Sequence, residues 1–166
     1  MSIEQRAQRI LERAKARDLT IVTAESCTAG MVATALSKAP GAGDYFHGGF
    51  VTYTKQMKSA VLGVSMKLLK QKGAVCAEVA EAMATGALTR SPADIAIAVT
   101  GVAGPEPDDD GNPVGLVYCS ATGLKRKTVT VRHFFEGLSR EGTIKATVEE
   151  TLTLLEQFAN NDEHKK

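Results

Sequence analysis

Residues 95–100 read IAIAVT, an apolar and β-branched run flanked by Asp94 and Gly101. A near-continuous run this short is the mark of a strand buried on both faces, and a sheet covered on both faces needs helices on either side. The rest of the chain supplies them. Residues 3–17 place Ile3, Ala7, Ile10, Leu11 and Ala14 on one face of an amphipathic helix, and residues 29–39 and 77–91 repeat the helical spacing. Shorter helical pieces fall at 55–62 and 65–72. Residues 139–159 form a long closing helix, with Ser139 as N-cap and Ile144, Val148, Leu152 and Leu155 facing inward. Further strands are read at 19–24 and 48–54, and "GLVYCSATG" and "TVTVRHFF" form a hairpin through "LKRK". The expected fold is α/β, a three-layer α/β/α sandwich with a mixed sheet. It forms one domain over residues 1–166, with a core at about 5–158 and a tail frayed from Asn160.

A chain of 166 residues buries enough apolar surface to fold without disulfides or a structural metal. Lys and Arg total 20 against 19 for Asp and Glu, and aromatics make up 5%, so neither a basic footprint nor a stacking platform for nucleic acid is present. The N-terminal stretch is charged throughout, and no run approaches the roughly 20 apolar residues of a membrane span. Cys27, Cys76 and Cys119 are odd in number and lack metal-finger spacing, which reads as reduced thiols in a cytoplasmic protein. The expected partner is a small molecule, without nucleic acid or membrane, and a homo-oligomer is the usual assembly for such an α/β chain.

The stretch TAESCTAG, residues 23–30, crowds polar and small residues between a strand and a helix. The first amides of a helix have no intrahelical partner, so this turn is suited to an anion or oxyanion. Ser26 there is either a helix cap or an exposed nucleophile, and a nucleophilic serine needs a base. His47, His133 and His164 have no orienting carboxylate nearby in sequence. The alternative is a lysine made neutral by burial, and FVTYTKQMK offers Lys55 and Lys58 beside Tyr53, although most lysines are solvated. A strand end runs through Thr100 and Gly101 to Gly104, where α/β sheets place their ligand crevice. Asp108, Asp109 and Asp110 lack the alternation of a calcium loop and read as a solvated acidic turn, so no metal site is expected.

Five separated blocks, TAESCTAG, GGFVTYTKQMKSAVLGV, GAVCAEVAEAMATGAL, ADIAIAVTGVAGPEPDDDGNPVGLV and the late helix start around Arg140, resemble the CinA C-terminal domain family in order and spacing. The enzymatic members of that family are nicotinamide-nucleotide amidohydrolases. The resemblance implies a metal- and cofactor-free amidase that converts nicotinamide mononucleotide to nicotinic acid mononucleotide and ammonia. The family's nucleophilic serine falls on Ser26, and its tyrosine and lysine fall on Tyr53 and Lys58, while Lys55 stands where the family has asparagine. Lys58 would take the Ser26 proton, directly or through the Tyr53 hydroxyl. Amides from Cys27 or Thr28 onward would hold the oxyanion, and Glu25 would orient the loop or bind a ribose hydroxyl. Gly30, Thr100 and Gly101 would complete the pocket, and Arg140, with Lys145 as a lesser choice, would meet the phosphate.

Larger members carry a separate N-terminal domain, so the metal-dependent pyrophosphatase activity of that domain is not expected of these residues. The chain departs from the family at Ala29, which replaces a glycine, and in the acidic loop 105–115, which is commonly glycine-rich. The spacing around Arg140 in EGLSREGTIK is altered too, and this changed phosphate region motivates one alternative, an amidase for another small carboxamide; the other alternative is a non-catalytic binding protein. An exposed, normally titrating Lys58 would mark the second.

Overall fold

The computed structural model describes residues 1–161. The elements are α1 (Ile3–Arg17), β1 (Ile21–Glu25), α2 (Met31–Ser37), α3 (Ala42–Tyr45), β2 (Phe46–Val51), α4 (Lys55–Leu62), α5 (Met66–Lys72), α6 (Ala77–Thr89), β3 (Ile95–Gly101), β4 (Leu116–Gly123), β5 (Arg126–Phe134) and α7 (Arg140–Asn160). They form the expected three-layer sandwich around a five-stranded mixed sheet of order β2-β1-β3-β4-β5. Strands β1, β2 and β3 are parallel, and β4 and β5 follow antiparallel.

The alternation of β3 builds both cores. Ile95, Ile97 and Val99 pack with Ile10 and Leu11 of α1, Val32 and Leu36 of α2, and Leu152 and Leu155 of α7. Ala96 and Ala98 point the other way, toward Leu62, Leu69, Val79 and Met83 of α4, α5 and α6. Alanines on that face let α6 lie close to the sheet. Gly86 serves the neighbouring contact, since a Cβ there would stand 2.1 Å from the Leu62 carbonyl oxygen of α4.

The chain leaves β1 on one side to reach β2, and returns across it to β3 on the other. The chain therefore changes direction across the sheet between β1 and β3, and the crevice beyond the carboxyl ends of such strands is where open α/β sheets bind ligands.

Several boundaries differ from the sequence reading. Strand β2 ends at Val51 rather than residue 54, because the backbone beyond it turns to meet Lys58 and Thr54 caps α4. Residues 40–46 are not simply a break but contain the one-turn helix α3, which starts after Gly41 at φ 86°. Helix α2 starts at Met31, two residues later than expected, because Ala29 and Gly30 take positive φ. The hairpin turn is Leu124 and Lys125 alone, with Arg126 and Lys127 already in β5. Asn160 is not frayed: it ends α7, and Arg17 donates to its carbonyl at 2.9 Å. Residues 162–166 of the tail, with His164, lie outside the described residues. No helix among the described residues is long and apolar enough to cross a membrane.

Candidate active site

Ser26 follows the last residue of β1, and its amide donates to the Val99 carbonyl of β3 at 3.0 Å. That bond fixes the serine at the crevice between the two strands. Helix α4 arrives from the other face of the sheet and buries only two residues, Lys58 and Leu62, one turn apart. Lys58 thus occupies a core-facing position and is wholly buried.

Lys58 Nζ lies 2.8 Å from Ser26 Oγ, 2.8 Å from the Thr52 carbonyl oxygen and 3.2 Å from the Tyr53 carbonyl oxygen. No carboxylate joins it in an ion pair among the described residues. Burial without a counter-charge disfavours the ammonium form, and the Lys58 pKa falls from 10.5 to about 8. A neutral amine has two hydrogens and one lone pair. With both hydrogens on the two carbonyls, the lone pair is left for the Ser26 hydroxyl, which then donates to it. This geometry can remove a proton from Ser26.

Glu25 is buried, but its carboxylate is turned away from the crevice. It accepts from Thr28 Oγ1 at 2.6 Å and from the Val32 and Ala33 amides at 2.8 and 3.0 Å. The first amides of α2 are therefore already satisfied. Glu25, Thr28 and Gly30 are not among the residues that line the cleft. They fold the turn that presents Ser26. The amides of Cys27 and Thr28, by contrast, meet no carbonyl or carboxylate of the described residues. Cys27 does line the cleft, but burial pushes its thiol up to about 12, which leaves it a poor nucleophile.

The cleft has a volume of about 520 Å³ and joins Ser26, Cys27, Tyr53, Lys58, Thr100, Gly101 and Arg140. Thr100 is held by donating to the Ala74 carbonyl at 2.8 Å. Gly101 is small for the sake of β4, since a Cβ there would come within 2.6 Å of Val117 Cγ2. The Tyr53 side chain is half exposed, and its hydroxyl accepts from Arg140 Nη2 at 3.2 Å rather than meeting Ser26 or Lys58. A proton path through that hydroxyl therefore has no hydrogen bond to run along. Arg140 also donates to the Gly104 carbonyl, tying the start of α7 to the loop after β3. Lys145 does not line the cleft, and its charge instead acts on Glu4 of α1.

Sequence reading missed Thr54, Gln56, Ala74 and Val75, which with Lys55 and the acidic loop form the other wall. The kinship of Lys55 and Asp110, 2.7 Å apart, was hidden by a separation of 55 residues. Among the described residues no group of three or more His, Cys, Asp or Glu side chains is arranged to hold a metal ion.

The chain is thus a mixed α/β sandwich with a buried serine–lysine contact where the strand order reverses. Residues 3–159 match the CinA C-terminal domain family model, and the chain belongs to that family. It is 36% identical over 157 residues to the nicotinamide-nucleotide amidohydrolase PncC of Escherichia coli strain K12, covering 95% of each. A crystal structure of a competence/damage-inducible protein from Agrobacterium tumefaciens superposes with a TM-score of 0.91 at 37% identity, covering 97% of this chain and 100% of that one. A CinA superfamily protein from Escherichia coli gives 0.89 at 38% identity, covering 94% and 90%. Other curated relatives, called CinA-like or putative competence-damage inducible proteins, are longer, and the chain spans 28%, 26% and 29% of three of them.

Proposed function

We propose that this chain is a nicotinamide-nucleotide amidohydrolase that converts nicotinamide mononucleotide to nicotinic acid mononucleotide and ammonia with Ser26 as nucleophile and Lys58 as base. The observation that carries the chemistry is the 2.8 Å contact between a fully buried, carboxylate-free Lys58 and Ser26. The substrate is supported by similarity to a protein of that name along 95% of the chain.

Neutral Lys58 takes the Ser26 proton as Oγ bonds to the carboxamide carbon. The oxyanion that forms is met by the Cys27 and Thr28 amides, each donor contributing up to about 3 kcal/mol. Collapse breaks the C–N bond, and Lys58 returns its proton to the departing nitrogen, so that ammonia leaves. Water then attacks the acyl ester, giving a proton to Lys58; Lys58 passes that proton to Ser26 Oγ as the ester C–O bond breaks, and the acid product loses its own proton to solvent as the carboxylate. Arg140 is the cation for the phosphate, and Tyr53 positions Arg140 rather than carrying a proton. The reading includes a single domain in a soluble, cytoplasmic homo-oligomer.

The buried lysine speaks against a non-catalytic relative. The acidic residues on the cleft wall favour a second reading, an amidase for a less anionic carboxamide. Ammonia release from nicotinamide mononucleotide after chelator treatment, beside Ser26→Ala and Lys58→Ala, tests the proposal. Metal-independent turnover lost in both variants is expected. A folded wild type that releases no ammonia would refute the substrate, and turnover of another carboxamide would establish the second reading.

A further inference from the structure

The loop between β3 and β4, residues 102–115, forms one wall of the cleft through Val102, Ala103, Gly104, Glu106 and the three aspartates. Asp108 folds its tip. Its carboxylate accepts from the Asp110 amide at 3.1 Å and from the Asn112 amide and side chain at 2.7 and 2.8 Å. Asp110 is thereby presented outward to two other segments. Its Oδ1 accepts from Lys55 Nζ, the first residue of α4, at 2.7 Å, and its Oδ2 accepts from the Ala74 amide at 3.3 Å. The seat is shaped for it, since a Cβ on Gly73 would stand 2.7 Å from Asp110 Oδ2. Lys55 and Asp110 keep only 32% and 27% of their side-chain exposure. The ion pair draws the Asp110 carboxyl below its ordinary value of 3.8, so the bond persists at neutral pH.

Three cleft-forming segments therefore meet at one carboxylate: the start of the helix that carries Lys58, the turn that holds Thr100, and the loop itself. We propose that the Lys55–Asp110 pair is a clasp that fixes the 102–115 loop as the wall of the Ser26 cleft, with Lys55 acting as a positioning residue and not as a substrate ligand. The consequence for turnover rests on the amidohydrolase reading. A wall that only frames the substrate stabilises ground and transition states alike, so its loss raises KM and spares kcat.

The experiment compares Lys55→Met, Asp110→Asn and the charge swap Lys55→Asp/Asp110→Lys with the wild type. It reads amide hydrogen exchange of residues 102–115 and steady-state kinetics with nicotinamide mononucleotide. In each single variant the loop amides are expected to exchange about tenfold faster and KM to rise about three- to tenfold with kcat within twofold, the size of a partly shielded pair. The swap restores the charge pair but not the bond from the Ala74 amide, so it is expected to restore part of both. Unchanged loop exchange in the single variants overturns the clasp whatever happens to KM. A lower KM in Asp110→Asn beside a higher one in Lys55→Met overturns it too, because it makes Lys55 a substrate-binding cation that Asp110 holds away. Faster loop exchange in a series whose wild type releases no ammonia supports the clasp and refutes the substrate reading instead.

Discussion

Replacing Lys58 with methionine isolates the titration on which the proposed mechanism depends. The lysine titrates near 10.5 in the unfolded chain and at about 8 in the folded one. Folding thus depresses the pKa of a basic group, and the unfolded state binds more protons between those values, so stability rises with pH across that window. At pH 7 both states are protonated and the buried ammonium costs about 3 kcal/mol, while near pH 9.5 the cost has fallen to about 1 kcal/mol. Methionine keeps the length of the stem and abolishes this dependence, although it strands the Thr52 and Tyr53 carbonyls by an amount that does not vary with pH. Urea unfolding of both proteins at pH 7 and pH 9.5 should therefore show wild type gaining about 2 kcal/mol on Lys58→Met as pH rises. The same titration appears in turnover. Lys58 acts as base only when neutral, so kcat/KM should climb with pH to a plateau above about 8, with roughly a tenth of the plateau value at pH 7. A stability difference independent of pH, or a kcat/KM profile flat between pH 6 and 9, would refute a depressed lysine and the base role with it.

Glu25→Ala leaves the Val32 and Ala33 amides and the Thr28 hydroxyl without their acceptor, and should cost about 2–4 kcal/mol in urea unfolding while lowering kcat through a loosened Ser26 turn. Ala29 holds φ 47° in the left-handed region, so Ala29→Gly should stabilise the fold by about 0.5–1 kcal/mol, read as a higher urea midpoint with turnover unchanged. Glu156, buried on α7, meets Arg6, Arg9 and Arg13 of α1 at 2.6, 3.0 and 3.6 Å. Its replacement by alanine leaves three guanidinium groups crowded together and should cost about 1–3 kcal/mol, less at high salt, with no effect on the pH profile of turnover.

Much of the architecture could be read from period alone. The residues 95–101 alternate isoleucine and alanine before Val99, and each set went to its own core, as a strand covered on both faces requires. Elements without period were harder: α3 is a single turn with no buried residue. At the site, the contact of Ser26 with Lys58 was expected only through the family resemblance, because nothing local says that a lysine is buried. A signal did exist, since Lys58 stands four residues before buried Leu62 on an otherwise exposed or half-buried helix. Of the two roles left open for Glu25, orienting the loop or binding a ribose hydroxyl, the three hydrogen bonds to the turn and α2 fit the first, and they leave no mark in sequence. The clasp between Lys55 and Asp110 depends wholly on tertiary folding.

In the proposed mechanism Lys58 can lose its proton near pH 8 because the sheet keeps carboxylates from it. Along β1, Ile21 packs into the core beneath α1 and α7, and Val22 and Ala24 pack into the core beneath α4 and α6. By that alternation Glu25 falls on the α2 face, where it is consumed by α2 amides, while Lys58 enters from the α4 face. The other buried carboxylate among the described residues, Glu156, is held by arginines on α1. Were Glu25 displaced by one residue along the strand, it would face the amine and hold it as an ammonium ion, which has no lone pair for Ser26. One strand thus does two jobs through its period of two. It sends a carboxylate to one face to build the turn that presents Ser26, and it leaves the other face free of negative charge for Lys58, the base of the proposed mechanism.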